Sequence, residues 1–366
     1  MSDALLIYGS PEHSADLFHA VPTGIIDPFL YIETNGTKAA TISVLDSHKV
    51  EPYGIDVLDL FALGADELLS RGISRHEVEL EFVRRACEKV GVSSAVVPSE
   101  FPVGLADYLR GHGVEIVVDP EAFVTKRRVK TEAEIEGIRR AQRAADQAMA
   151  VGARMVRERG ATSEAVREAM QAVCDGHDCD LPDDVIVAHG PQSAIGHEAG
   201  HGPIGEGEVV IIDIWPRDRV SRCWADMTRT FIAGGMEPPE EILEYWRLTR
   251  ESLDRAFAEV RAGADCRQIY GISCEPYENA GYPTQRSKPA GQSLEEGYYH
   301  SLGHGVGLEV HERPNLGRTP DTLLAGDVIT LEPGCYSKAL GGVRLEDLVL
   351  VLEDGAELLT DFPYDL

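Results

Sequence analysis

The 366-residue chain carries 62 acidic residues against 34 basic ones, a formal charge of −28. That balance argues against a general nucleic-acid binder, since neutralising phosphates takes basic patches, and against docking to anionic membranes. The length suits about two domains with ample core. The seven scattered cysteines contain no C-x-x-C pair, and no apolar run is long enough to span a bilayer, so the expectation is a cytoplasmic protein with reduced thiols.

In chain order, "ALLIYG" (4–9), "FLYIETNGTKAATISVL" (29–45) and "SSAVVP" (93–98) predict strands, the second bent at Asn35-Gly36. "RHEVELEFVRRACEKVG" (75–91) has helical spacing and stops at a glycine, and "GLADYLRGHG" leads into the strand "VEIVVD" (114–119). This predicts an α/β domain over 1–125, in which no residue pattern points to chemistry. The basic stretch "TKRRVK" (125–130) marks the boundary with a second domain, 126–366. A helix should begin at Thr131, with Glu134 completing a capping box, and end near Gly160; another should run from Ser163 to Cys174. From 184 onward the pattern turns to strands and glycine-rich turns, broken by a helical stretch over 238–262.

Residues 197–201, "HEAGH", match the zincin pattern, which needs both histidines one turn apart on a helix. Gly200 lies inside the motif and Gly202, Pro203 and Gly205 follow it. Glycine costs about 1 kcal/mol and proline about 3 kcal/mol in a helix interior, so a loop is predicted here. Ile204 also stands where the longer metzincin motif needs glycine.

A stronger set of ligands lies in strand-like segments. Asp213 sits in "IIDIW", and Asp226 in "WADMTRTF" with Thr228 and Thr230 on one face. His304 lies in "SLGHGVGLEVHE" between His300 and His311, Glu332 in "ITLEPGCY", and Glu346 in "GGVRLED" two residues after Arg344. Singly, a buried Asp often serves as a cap and a lone His as a satisfied core group. Four carboxylates and one imidazole in apolar strands of one domain would be prohibitively charged without cations. They suit two divalent ions sharing bridging carboxylates, an apparatus for hydrolysis without a covalent intermediate.

The order Asp, Asp, His, Glu, Glu, with the phrases "RRVKTEAEIEGIRRAQRAAD", "AHGPQSAIGHE", "VIIDIW", "ADMTRT", "GHGVGLEVHE", "LEPGCY" and "GGVRLED", resembles the pita-bread-fold metallopeptidases of the Xaa-Pro dipeptidase (prolidase) and aminopeptidase P group over about 126–360. The resemblance implies an α/β (α+β) chain with an N-terminal creatinase-like domain and a C-terminal pita-bread catalytic domain. It implies that Asp213, Asp226, His304, Glu332 and Glu346 hold two metal ions, with Asp226 and Glu346 bridging and Glu332 also shuttling a proton. His197 then contacts substrate, His311 stabilises the oxyanion, His300 is a further active-site histidine, and Arg344 steadies a ligating carboxylate. It implies hydrolysis of Xaa-Pro bonds in dipeptides or at peptide N-termini, with manganese favoured over cobalt or zinc, and a homodimer acting on small peptides.

The chain departs from the family pattern in three places. The two aspartates stand 13 apart (226 − 213), Trp215 follows where Asp-Phe-Gly is usual, and His189 replaces a common serine. These changes flank the cleft and leave open a metal-dependent lyase of the dimethylsulfoniopropionate-cleaving kind, or a non-catalytic binding module. Arg313 and Arg318, after His311, are candidates to clamp a substrate carboxylate or are solvated loop residues.

Overall fold

The computed structural model describes residues 3–366, which divide between Arg127 and Arg128 into two compact units. The first is built on a six-stranded sheet of β1 (Ala4–Gly9), β2 (Phe29–Thr34), β3 (Thr37–Ala40), β4 (Asp56–Val57), β5 (Ser94–Val97) and β6 (Glu115–Val118), in the order β4-β3-β2-β1-β5-β6. Asn35 and Gly36 both take positive φ, which closes the β2–β3 hairpin as the sequence predicts; residues 41–45 leave the sheet instead of extending it. Alternate residues feed two cores. Leu6, Leu30, Ile32 and Ala39 pack with Val83 and Leu109, while Ile7, Phe29, Tyr31 and Ala40 pack with Leu17 and Val50. Helices therefore cover both faces: α1 (Ala15–Ala20), α2 (Ser47–Val50) and α6 (Glu121–Arg128) one, α4 (Arg75–Val90) and α5 (Val103–Gly111) the other, with α3 (Ala65–Ser70) beside α4. The stretch expected as a basic boundary is largely the end of α6.

The second unit opens with α7 (Glu132–Arg157), whose capping box is formed: Glu134 N–H donates to Thr131 Oγ1 at 3.2 Å and Thr131 N–H to Glu134 Oε2 at 2.8 Å. It ends at Arg157, three residues before the glycine expected to stop it. Next come α8 (Ser163–Gly176), β7 (Cys179–Asp180), β8 (Ile186–His189), β9 (Val209–Ile214), β10 (Arg217–Asp218) and β11 (Met227–Ile232). Strands β11-β9-β8 form an antiparallel sheet against which α7 packs; a Cβ on Gly152 would come within 2.9 Å of Ile212 Cδ1, so glycine lets helix and strand meet.

The remaining elements are α9 (Glu240–Phe257), α10 (Cys266–Asn279), β12 (Gly303–Gly305), β13 (Glu312–Leu316), β14 (Val328–Leu331), β15 (Gly334–Ser337), β16 (Gly341–Arg344), β17 (Asp347–Leu352) and β18 (Gly355–Leu358). Helix α10, which contains Pro276, is not predicted by the sequence pattern. A five-stranded sheet runs β13-β12-β14-β17-β18, and β15 pairs with β16. Both helices back these strands through Ile242, Leu253, Ile269, Leu331, Val343 and Val349. The two sheets meet where Glu346 N–H donates to the Thr228 carbonyl at 3.0 Å. All seven cysteines are free and buried, and among the described residues no helix is long and apolar enough to cross a membrane.

Buried ion pairs fix the start of this unit. Arg128 donates to Asp327 through Nε at 2.9 Å and Nη2 at 2.6 Å, and Asp327 is fully buried. Removing one partner strands the other charge in low dielectric. Asp327→Ala should therefore cost about 3 kcal/mol in urea denaturation, and the double variant Arg128→Met/Asp327→Leu should recover most of that loss.

Candidate metal centre

The two sheets bring the predicted acids together by different local devices. Asp213 lies within β9, where its neighbours Ile212 and Ile214 are buried and Thr228 is its cross-strand partner. Asp226 immediately precedes β11, Glu332 follows β14, and Glu346 sits between β16 and β17. Three of the four carboxylates thus occupy breaks in the ladder rather than strand interiors. His304 is in β12, where a bulge shifts the register after it.

Asp226, His304 and Glu346 can each offer a donor atom within 4.8 Å of the other two. His304 Nε2 lies 3.8 Å from Asp226 Oδ2 and 3.7 Å from Glu332 Oε1. Its Nδ1 faces the Gly305 carbonyl at 3.1 Å, which puts the ring proton on Nδ1 and the lone pair on Nε2, toward the acids. Glu346 Oε2 accepts from Thr228 Oγ1 at 2.7 Å, and Asp213 Oδ2 accepts from Arg344 Nη2 at 2.6 Å. Asp213 Oδ1 and Asp226 Oδ1 are buried without a hydrogen-bond partner.

Burial, reinforced by Glu346, Asp213 and Glu332, pushes Asp226 well above the usual carboxylate range. Glu346 moves the same way through burial and the charges of Asp213 and Glu332. Burial also raises Glu332, to about 8, with Asp213 adding to the rise and Arg344 opposing it. His304 is lowered to about 4 by burial and by His311. Buried acids that resist ionisation, orphaned carboxylate oxygens and an imidazole offering its lone pair are a site short of positive charge. The donor set fits divalent ions with oxygen and imidazole preference.

These groups line a cavity of about 470 Å³ that also includes His197, His311, Arg344, Trp215, Ile186 and Val310. His300 does not line it. Its Nδ1 faces the Ser301 carbonyl at 2.8 Å and lies 3.9 Å from Glu332 Oε2, while its Nε2 meets the Tyr336 hydroxyl at 2.9 Å. Arg344 Nη1 donates to the same Tyr336 oxygen at 3.1 Å, so Arg344, Tyr336 and His300 form one chain of contacts. Arg313 pairs with Asp321 at 3.0 Å and Arg318 reaches only the Gln285 carbonyl, at 3.5 Å; neither lines the cavity.

The segment "GHEAGH" is a loop. Gly200 has φ +80°, and a Cβ there would lie 1.9 Å from the Val187 carbonyl oxygen. Arg167 donates to the carbonyls of Ala199 at 2.6 Å and Gly200 at 3.0 Å, while Val187 N–H donates to the Ala199 carbonyl at 2.8 Å. This bracing leaves His197 at the cavity and the His201 side chain 73% exposed. His189 turns away from the cavity and braces the loop between Glu208 Oε2 at 2.6 Å and the His201 carbonyl at 3.1 Å. Trp215 forms the cavity wall among Ile186, Ala188 and Ile211.

Two further residues of the site's surroundings, Tyr336 and Arg229, have no role in the sequence reading. Tyr336 carries no signal in its own segment. Arg229 does, because an arginine within the apolar run "MTRTFI" poses the same burial problem as Asp213.

Comparison with known proteins accords with this geometry. A Xaa-Pro dipeptidase of Pyrococcus furiosus is 34% identical over 235 residues, 63% of each chain, so the match spans less than two thirds of that relative. A Xaa-Pro dipeptidase of Pyrococcus horikoshii is 30% identical over 275 residues, 74% of each. The structure of a Xaa-Pro dipeptidase from Bacillus anthracis superposes with a TM-score of 0.82 over all of this chain and 94% of that one at 21% identity, so the fold is the pita-bread one. The model of metallopeptidase family M24 matches residues 136–353, and the chain belongs to that family.

Proposed function

We propose that the protein is a dinuclear metal-dependent peptidase that hydrolyses Xaa-Pro bonds in dipeptides or at peptide N-termini. The observation that carries this reading is the buried convergence of Asp226, His304 and Glu346, with Glu332 and Asp213 beside them in one cavity. In this reading Asp213, Asp226, His304, Glu332 and Glu346 would hold the two ions, with Asp226 and Glu346 serving both. The bound ions supply an acidified water and a Lewis-acid grip on the scissile carbonyl. Four carboxylates to one imidazole favour manganese over cobalt or zinc.

The chain's own groups do the rest. Arg344 holds Asp213, and Thr228 holds Glu346, each in a fixed rotamer. Glu332 stands at the cavity to take and return a proton, with His300 behind it as a positioning residue. His197 and His311 line the cavity, where their imidazoles can orient the substrate and bind the developing oxyanion. Trp215, Ile186 and Val310 give an apolar wall suited to a proline ring. Residues 1–125 would form the N-terminal creatinase-like domain and 126–366 the catalytic one, in a cytoplasmic homodimer.

Incubation with Mn(II) and an Xaa-Pro dipeptide should release proline, followed by amino-acid analysis. Stoichiometric metal uptake without cleavage of the dipeptide or of a longer peptide with the same N-terminus would refute the peptidase assignment. Metal analysis of purified variants should show His201→Ala close to wild type and Asp226→Ala or Glu346→Ala empty.

Metal removal should also change the pH dependence of stability. Glu332 is raised above its unfolded value, so up to about pH 8 its carboxyl holds a proton in the folded state that the unfolded chain has lost, while His304 and His300, lowered to about 4 and about 3, work the other way only below about pH 6.5. Stability of the metal-stripped chain should therefore fall as pH rises from about 6.5 to about 8, as followed by thermal melting at a series of pH values, and added Mn(II) should flatten the decline.

A further inference from the structure

Arg229 is the largest fully buried side chain in the described protein, 1% exposed, and it does not itself line the cavity. Its five N–H groups are all engaged. Nη1 donates to the carbonyls of Thr228 at 2.9 Å and Glu346 at 2.7 Å. Nη2 donates to Asp347 Oδ1 at 2.9 Å and the Phe362 carbonyl at 2.8 Å, and Nε to the Pro363 carbonyl at 3.0 Å. A guanidinium has five donors in a rigid fork, so this one is spent to capacity.

One arm of that fork reaches the backbone of Glu346. Thr228 and Arg229, adjacent in β11, point to opposite faces, and together they hold every polar part of Glu346 except its second carboxylate oxygen. Thr228 Oγ1 donates to Oε2, the Thr228 carbonyl accepts from the Glu346 N–H, and Arg229 donates to the Glu346 carbonyl. Glu346 itself lines the cavity.

A lock sits behind the fork. The Tyr364 ring lies 4.5 Å from the Arg229 guanidinium and 3.5 Å from that of Arg250, and its hydroxyl donates to Asp347 Oδ2 at 2.6 Å. Two cations against one ring, with the hydroxyl on the acid that pairs with Arg229, immobilise the fork.

We propose that Arg229, locked by Tyr364, is the positioning residue for the bridging carboxylate Glu346, and that the tail segment 362–364 is thereby part of the metal centre's support. The proposal rests on the reading of Glu346 as a bridging ligand. Its test is titration of metal-stripped full-length chain with Mn(II), read by uptake and by electron paramagnetic resonance of the exchange-coupled pair. Arg229→Lys and Tyr364→Ala, which remove parts of the fork or its lock and leave every ligand in place, should bind Mn(II) 10–100-fold more weakly and replace the pair signal with that of isolated ions.

A lower melting temperature of the metal-free variants with wild-type affinity and an intact pair signal would mean a merely structural role and overturn the proposal. Should Arg229→Lys fail to fold, Tyr364→Ala decides by the same two readings. A wild-type chain that takes up no metal would overturn the metal-centre reading and this proposal with it, whereas normal uptake by wild type and variants alike would overturn the proposal alone.

Discussion

Repulsion among four carboxylates lining one cavity is the constraint on which the second unit depends. Asp213, Asp226, Glu332 and Glu346 face the same space as Arg344, which neutralises one of them. Charge of one sign in low dielectric is expensive at these separations, and its cost rises with burial. The fold answers by rigidity. The acids sit on or beside strands, each sheet is backed by helices, and Thr228, Arg344 and the His304 tautomer fix where the donor atoms point. A flexible site would relieve the repulsion by splaying apart and would offer cations nothing preorganised.

Much of this is legible in the sequence. A carboxylate in "VIIDIW" is conspicuous because the run predicts burial and the side chain forbids it, and five such contradictions in one domain imply a common solution. The capping box at Thr131 and the Asn35-Gly36 turn are legible for a local reason, since short-range hydrogen bonding decides them. Helix α10 is not, because Pro276 and a cluster of polar residues hide its periodicity, and its stability comes from packing on α9 and β13. Nor is the displacement of His300 from the cavity. The spacing puts it four residues from His304 but says nothing of Tyr336, 36 residues on, which captures its ring.

"HEAGH" shows the opposite case, a motif legible but misleading. Its residues satisfy a pattern whose physics needs a helix, and the glycine inside it adopts a backbone conformation closed to helices and to any side chain. Context decides: Arg167 and Val187 grip the loop's carbonyls, and the histidine that reaches the cavity is the first, placed by a turn. The same loop absorbs His189, whose ring braces it from behind. One unusual residue of this chain thus acts on loop position and the other, Trp215, on cavity shape.

The two sheets that carry the acids touch at Thr228 and Glu346, and the residues proposed as ligands run from 213 to 346 along the chain. A pair of ions held from both sides is a crosslink made only in the native state, closing a long loop without a covalent bond. Its effect is kinetic as well as energetic. With the proposed ligands engaged, any opening of the seam would first have to release an ion, so a loaded molecule would resist proteases and unfold slowly, while an unloaded one would breathe along that line. Metal supply would then set the lifetime of the protein in addition to its activity.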